Sequence, residues 1–340
     1  MLRNNNLFIF NFKQYEKIYF CGNKIFFTYN SCGRCVFNLC RIYIVFLSFN
    51  IPIKAINFKK SKENIDILIL GSSHNQNAIN PEIINDFSCS NLACGGQDVR
   101  IDSALFNLVF EQLPKLQFVV FELSYHTLEY ENKIMYSGNS LYLRFYNINL
   151  FNRGVNIKDY SIYLSNPKFY NRFLNPFAKK ISVNKYGFAT DLFSDGSELH
   201  RFKKLKYNEN VILNDTANKY IKRHKYEDVE AYNKNTLTIS RMINECIKKD
   251  ITPIIISPPV YKSYFNSYIN SKEKRRKDFI NKILLNYPYS VYIDYEQDNR
   301  FKVTDFKNED HLNPIGAKKF SRLLNDTINE IKALSQAIKR

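Results

Sequence analysis

Two adjacent serines follow an apolar run at a sharp turn of small residues. The run covers residues 65–70 and leads into Gly71-Ser72-Ser73-His74. An uninterrupted Ile- and Leu-rich run that stops at glycine is typical of a strand buried on both faces of a parallel sheet. The turn then lies at the carboxyl end of the strand, where ligands bind in open α/β sheets. A serine at this point either caps the next helix or presents a hydroxyl that can act as a nucleophile.

A serine hydroxyl becomes a nucleophile at neutral pH only beside a base, which is usually histidine. Two histidines occupy suitable loops: His126 follows the third apolar run, and His311 precedes the last helix. The pair Gly95-Gly96 follows the second run and would let backbone N–H groups approach a developing oxyanion. Because parallel strands end at the same edge of a sheet, these loops are expected to converge with Ser72 and Ser73. The residue types therefore predict an acyl-transfer site.

The elements that must position this site alternate regularly along the chain. Strand-like apolar runs cover residues 65–70, 87–93, 117–123, 252–257 and 290–294. Apolar residues at helical spacing lie between them, and a last helix opens after Asn313-Pro314. This alternation predicts an α/β protein, a three-layer α/β/α sandwich with a five-stranded parallel sheet.

Two segments depart from this pattern. Residues 1–58 are aromatic and basic, and their apolar run 42–53, extended back to Cys35, would just span a bilayer. We expect an uncleaved membrane anchor or an interfacial helix here, the alternative being a helix packed on the domain. The α/β domain should cover 59–335. Within it, the tyrosine-rich stretch 131–233 is expected to be an insertion or lid that stacks on carbohydrate or forms a small core of its own.

The chain is strongly basic, with 49 Lys and Arg against 32 Asp and Glu and a net charge of +17. A basic surface favours anionic partners such as phospholipid headgroups or acidic polysaccharides. No zinc-finger spacing, aromatic RNA-binding signature or basic zipper is present, which argues against nucleic acid.

Cys32 and Cys35 have the spacing of a redox pair or half a zinc site, but no matching ligands follow, and the cysteines are interpreted as small hydrophobic residues. We therefore expect no cofactor and no metal.

Three blocks of the sequence resemble the SGNH/GDSL hydrolases, and in particular their membrane-anchored members from cell-envelope and polysaccharide loci. The blocks are Leu70-Gly71-Ser72-Ser73-His74, Asn91-Leu92-Ala93-Cys94-Gly95-Gly96-Gln97 and Asn308-Glu309-Asp310-His311-Leu312-Asn313. The resemblance covers residues 65–130 and 236–330. It implies that Ser73 is the nucleophile, that His311 is the base, and that the backbone N–H groups of Ser73 and Gly96 hold the oxyanion.

Two positions depart from the family pattern. His126 stands where the family has an oxyanion-binding asparagine, and an imidazole can donate the same hydrogen bond. Asn308 stands where the family places the acid of the triad, three residues before the histidine. Asp310 can replace that acid if its loop turns it towards His311; otherwise a Ser-His dyad is oriented by an amide or a carbonyl.

The resemblance implies two-step acyl transfer on an acyl ester, most naturally an acetyl ester, of an envelope or exported polysaccharide. Water as the second acceptor gives an esterase, and a sugar hydroxyl gives an O-acyltransferase. The alternative is a catalytically inactive protein of the same fold that binds an acidic polymer. The expected location is a membrane surface facing the cell envelope, with the cytoplasm as the alternative.

Overall fold

The computed structural model of the protein describes residues 9–12, 15–21, 24–27, 50–132, 138–165, 182–191, 201–215 and 219–338. Near the N-terminus, three antiparallel strands form a small sheet: β1 Ile9–Phe12, β2 Tyr15–Cys21 and β3 Lys24–Phe27. The strands of the main sheet are β4 Ile67–Ile69, β5 Cys89–Asn91, β6 Phe118–Glu122, β7 Thr252–Ser257 and β8 Val291–Asp294.

The main sheet has five strands in the order β5-β4-β6-β7-β8, all parallel. The first strand of this sheet along the chain, β4, is therefore an inner strand. Strand β5 pairs with one side of it, and β6, β7 and β8 follow on the other side. This order creates a switch point between β4 and its neighbours, which is where open α/β sheets place their ligand crevice. The predicted five-stranded parallel sheet is confirmed.

Helices cover both faces of this sheet. They are α1 Asn50–Ser61, α2 Ser73–Ala78, α3 Val99–Val109, α4 Asn139–Tyr146, α5 Ile162–Ser165, α6 Arg201–Lys204, α7 Glu209–Leu213, α8 Lys219–His224, α9 Val229–Lys248, α10 Lys262–Phe265, α11 Asn270–Asn286 and α12 Pro314–Ile338. Single 3₁₀ turns lie at Lys62–Asn64, Pro81–Ile83, Phe110–Gln112, Thr127–Glu129, Ile157–Tyr160 and Val303–Asp305. A last short hairpin pairs β9 Phe306–Asn308 with β10 His311–Leu312.

The alternation of side chains along β4 explains why the sheet lies between two helical layers. Leu68 and Leu70 belong to the apolar cluster that contains α1, α3, α9 and α11 residues. Ile67 and Ile69 point the other way, into the cluster that contains α12 residues. Successive strand side chains face opposite sides, so a continuous apolar run is buried on both. The predicted three-layer α/β/α arrangement is confirmed.

Helix α1 packs on this domain. Ile51, Ala55 and Phe58 are buried in the first of the two apolar clusters, and Lys54 Nζ donates to the carbonyl of Ala93 at 2.5 Å. Most of the apolar run 42–53 lies outside the described residues. Among the residues described, no helix is long and apolar enough to cross a membrane.

The buried Lys54 makes the packing of α1 testable by pH. Burial lowers the pKa of its ammonium from 10.5 to about 8, so between about pH 8 and 10.5 the unfolded chain binds more protons than the folded one and stability rises with pH. We expect the free energy of unfolding to rise by about 2 kcal/mol between pH 8 and 9.5, relative to Lys54→Met, in urea titrations. Parallel curves for the two proteins would show that α1 does not bury this amine.

Candidate active site

Ser73 and His311 meet at the carboxyl edge of the sheet although 238 residues separate them. Ser73 is the first residue of α2, directly after strand β4 and its glycine turn. His311 opens β10 in the last hairpin. The Ser73 Oγ and His311 Nε2 atoms lie 2.8 Å apart, within hydrogen-bond distance. The resemblance implied this pair as nucleophile and base, and the distance is the one that proton transfer between them requires.

The other nitrogen of His311 faces two side chains. Its Nδ1 lies 3.0 Å from Asn308 Oδ1 and 2.7 Å from Asp310 Oδ1. The hairpin explains this arrangement, because it pairs residue 308 with residue 311 and brings the intervening turn back over the imidazole. Both candidates for the orienting residue therefore contact His311. An acceptor at Nδ1 holds the proton there and leaves Nε2 free to accept the serine proton.

Burial sets the charges of this group. It lowers the pKa of His311 to about 4, although Asp310 opposes the shift. For Asp310, burial favours the neutral acid, but the imidazoles of His311 and His74 outweigh it and hold the pKa well below its usual range. Arg223 Nη2 also lies 3.4 Å from Asp310 Oδ2. At neutral pH the arrangement is a neutral imidazole beside a carboxylate, which is the resting state of a general base.

A buried carboxylate holds the turn that presents Ser73. Glu122, at the end of β6, accepts from the backbone N–H groups of Ser72 at 2.7 Å and Asn75 at 3.0 Å, and from the Ser72 hydroxyl at 2.5 Å. Gly71 has a φ of +133°, and its N–H donates to Asp102 Oδ1 at 2.9 Å. Burial raises the pKa of Asp102 to about 7. Two acidic side chains thus fix the backbone that carries Ser73.

The glycine pair after β5 lies beside Ser73. A side chain added at Gly95 would come within 3.8 Å of the Ser73 Cβ. Gly96 has a φ of +78° and its carbonyl accepts from Asn132 Nδ2 at 3.1 Å, while the Gly95 N–H donates to Gln76 Oε1. The structure thus places the expected oxyanion loop next to Ser73, as the convergence of the strand ends requires.

His126 lies on the inner side of the same turn. Its Nε2 is 3.2 Å from Ser72 Oγ and 3.9 Å from Glu122 Oε1, and its side chain is buried. Burial lowers its pKa well below 6.5, so the ring is neutral. The sequence expectation was an oxyanion donor beside Ser73. In the structure, its Nε2 lies at hydrogen-bond distance from the neighbouring Ser72.

Sequence reasoning did not single out two groups of residues at this site. One is Glu122, the last residue of β6. A carboxylate inside the otherwise apolar run 117–123 is the sequence feature that could have identified it. Arg223 and His224 come from α8, inside the expected insertion, and reach Asp310 and the His126 ring. Nothing in the local pattern of α8 indicated that contact, because it depends on how the insertion folds back on the sheet.

The two neighbours of His311 Nδ1 are distinguishable by mutation. We expect Asp310→Asn to lower kcat for ester hydrolysis by about 10²- to 10⁴-fold, because an amide that donates to Nδ1 favours the wrong tautomer. Asn308→Ala removes a neutral hydrogen bond and should cost about tenfold. Steady-state kinetics on p-nitrophenyl acetate measure both. The reverse order of effects would assign the orienting role to Asn308.

The strand order and the three layers define an α/β/α sandwich, and the Ser73–His311 pair lies at the carboxyl edge of its sheet. Among solved structures, the chain is similar to one described as a lipolytic protein of the G-D-S-L family from Desulfitobacterium hafniense DCB-2. The TM-score is 0.36 and the sequence identity 9%, over 77% of this chain and 99% of that one. No protein-family model matches the sequence, and no curated protein does.

Proposed function

We propose that the protein is a serine esterase or O-acyltransferase of the SGNH type that acts on acyl esters, such as acetyl esters, of a cell-envelope or exported polysaccharide. The observation that carries the proposal is the 2.8 Å distance between Ser73 Oγ and His311 Nε2, with Asp310 and Asn308 on Nδ1. A serine that only caps a helix needs no imidazole at hydrogen-bond distance.

The chemistry follows from this geometry. His311 Nε2 takes the Ser73 proton while Oγ attacks the ester carbonyl, and the carbonyl electrons move onto the oxygen. In this proposal the backbone N–H groups of Ser73 and Gly96 hold that oxyanion, as the family resemblance implies. The tetrahedral intermediate collapses, the C–O bond to the alcohol breaks, and His311 returns the proton to the departing oxygen. Water or a sugar hydroxyl then attacks the acyl-serine with the same base.

A non-catalytic role on the same fold is the second candidate. Two observations favour it: Asn308 occupies the position of the usual acid, and the chain carries a net charge of +17. In this role the basic surface would bind an acidic polymer, and Ser73 would be an ordinary hydroxyl. The candidates differ in whether Ser73 is activated. Association with a membrane surface is compatible with both.

Labelling with a fluorophosphonate probe tests the proposal, because an activated hydroxyl displaces the fluoride of the probe and becomes phosphonylated, whereas an ordinary hydroxyl does not react. We expect one probe adduct per full-length chain by intact-mass spectrometry, located on the peptide that carries Ser73. Ser73→Ala should abolish the adduct. Ser72→Ala should retain the adduct, since the Ser72 hydroxyl donates its hydrogen bond to Glu122.

Two results would contradict the proposal. A folded chain that takes no label between mildly acidic and alkaline pH would favour the polymer-binding role, and glycan-binding assays would follow. A label lost only in Ser72→Ala would move the nucleophile by one residue. With labelling established, adding oligosaccharide acceptors to an acetyl ester reaction separates the two enzymes, because only a transferase forms acetylated sugar faster than acetate.

A further inference from the structure

Four of the five histidines of the chain form one cluster, in which three surround the buried His74. The ring centroid of His74 lies 4.7 Å from that of His126, 5.0 Å from that of His311 and 6.3 Å from that of His224. His74 follows the nucleophile in sequence, yet the proposed acyl transfer does not use it. Its role therefore calls for a separate explanation.

His74 is 2% exposed, and neither ring nitrogen has a hydrogen-bond partner among the described residues. Asp310 Oδ2 lies 3.7 Å from Nε2, beyond hydrogen-bond distance. Buried polar groups without partners are rare and costly, and they commonly mark the position of an ion or a water molecule. An imidazole must have at least one N–H, so both of its nitrogens are in need of a partner.

His126 and Glu122 lie beside His74 and offer further ligand atoms. His126 Nδ1 is buried and also lacks a partner among the described residues. Glu122 Oε1 lies 3.9 Å from His126 Nε2, and no described lysine or arginine pairs with this carboxylate. One ligand atom from each of His74, Glu122 and His126 lies within 4.8 Å of the others. Two imidazoles and a carboxylate are a donor set that suits Zn²⁺.

We infer that His74, Glu122 and His126 bind one divalent transition-metal ion of the Zn²⁺ class. Ligands at about 2.1 Å in a tetrahedral site lie about 3.4 Å apart, so the His74 and His126 rings must close towards Oε1 of the fixed Glu122 side chain. The ion would occupy one nitrogen of His74 and one of His126. Imidazole donors favour zinc, copper, nickel or iron over the oxygen-seeking Mg²⁺ and Ca²⁺.

A second possible ligand set, His74 with Asp310 and His311, is less suited to a cation. Its ligand atoms are equally close together. Asp310, however, already lies 2.7 Å from His311 Nδ1 and 3.4 Å from the guanidinium of Arg223. A metal ion there would be repelled by Arg223 and would displace the contact that orients His311. The site at Glu122 avoids both costs.

The inferred ion joins three elements around the nucleophile turn: α2 through His74, the end of β6 through Glu122, and the following loop through His126. Its binding does not depend on whether Ser73 is a nucleophile. An ion that binds only the folded chain raises its stability in proportion to the logarithm of its concentration. Zn²⁺ is therefore expected to raise the melting temperature at concentrations at which Mg²⁺ does not.

Cobalt spectroscopy on the full-length chain tests the site. Cys21, Cys32, Cys35 and Cys40 are replaced by serine in every protein, since a Cys-x-x-Cys pair is a competing ligand. Co²⁺ should produce the visible absorption of a tetrahedral site with one equivalent per chain, without the near-ultraviolet band of thiolate ligands. Zn²⁺ should displace it. His74→Gln and His126→Gln should each weaken binding by at least about 100-fold, while Asp310→Asn should leave the spectrum in place.

Any of the following outcomes would overturn the inference. Absence of a tetrahedral spectrum in a folded chain removes the site, and a spectrum that persists in both histidine variants places the ion elsewhere. A spectrum lost in Asp310→Asn but kept in His126→Gln assigns the ion to the second ligand set. Circular dichroism of the metal-free variants shows whether each is folded. Fluorophosphonate labelling of the metal-free chain reports on the proposed function separately.

Discussion

Ser73→Ala and His311→Ala are each expected to lower ester hydrolysis by about 10³- to 10⁶-fold, and the double variant is expected to lose little more than either one. The reason is that the two side chains act as a unit. Without His311 the hydroxyl keeps its proton, and without Ser73 the base has nothing to activate. The 2.8 Å hydrogen bond between them is the structural basis for this coupling.

The measurement is kcat/KM on p-nitrophenyl acetate for the two single variants and the double variant. Thermal unfolding shows whether each variant remains folded. Losses that multiply in the double variant would mean that Ser73 and His311 contribute independently, which a nucleophile and its base do not do. An unchanged Ser73→Ala enzyme would place the chemistry on another residue.

The central sheet could be predicted from the sequence because its signal is local. The inner strands β4, β6 and β7 are short apolar runs, as strands buried on both faces must be. The boundaries were less certain: the run 87–93 predicted a longer strand than Cys89–Asn91. The residues beyond it turn away to form the glycine loop beside Ser73.

The convergence of the loops that carry Ser73 and His311 could be predicted because parallel strands bring their carboxyl ends together. The choice of Ser73 over Ser72 and of His311 over His126 rested on the family resemblance. The orienting residue could not be chosen, since a tight hairpin brings Asn308 and Asp310 to the same nitrogen. The contact of His126 with Ser72 could not be predicted either. It depends on which side of the turn the loop after β6 passes, and that is decided by packing between distant elements.

Long-range burial also determines where helix α1 lies. An apolar run such as 42–53 is typical both of a membrane helix and of a helix that covers a sheet, because both need an apolar surface. Helix α1 buries Ile51, Ala55 and Phe58 against the domain together with the amine of Lys54. Burial of that ammonium is a property of the folded contact, and no local pattern around Lys54 predicts it.

Gly71→Ala is expected to destabilise the fold by about 3–5 kcal/mol and to remove activity with it. A Cβ at this position would lie 2.6 Å from both Cβ and Oε2 of Glu122. The φ of +133° adds backbone strain for any residue with a side chain. Because Glu122 Cβ belongs to a buried strand and Oε2 holds the N–H groups of Ser72 and Asn75, neither can move without opening the turn.

Gly95→Ala is the matched control for this substitution. Gly95 is also close to Ser73, but an added Cβ would make ordinary contacts, 3.5 Å to Gln76 Oε1 and 3.8 Å to Ser73 Cβ. Its free energy of unfolding in urea should therefore stay within about 1 kcal/mol of the parent chain. If both alanine variants lost the same free energy of unfolding, the loss at Gly71 would not be due to its contact with Glu122. A loss of stability confined to Gly71→Ala would show that the Glu122 side chain leaves no room for a Cβ at residue 71. The turn that carries Ser73 would then require glycine at that position.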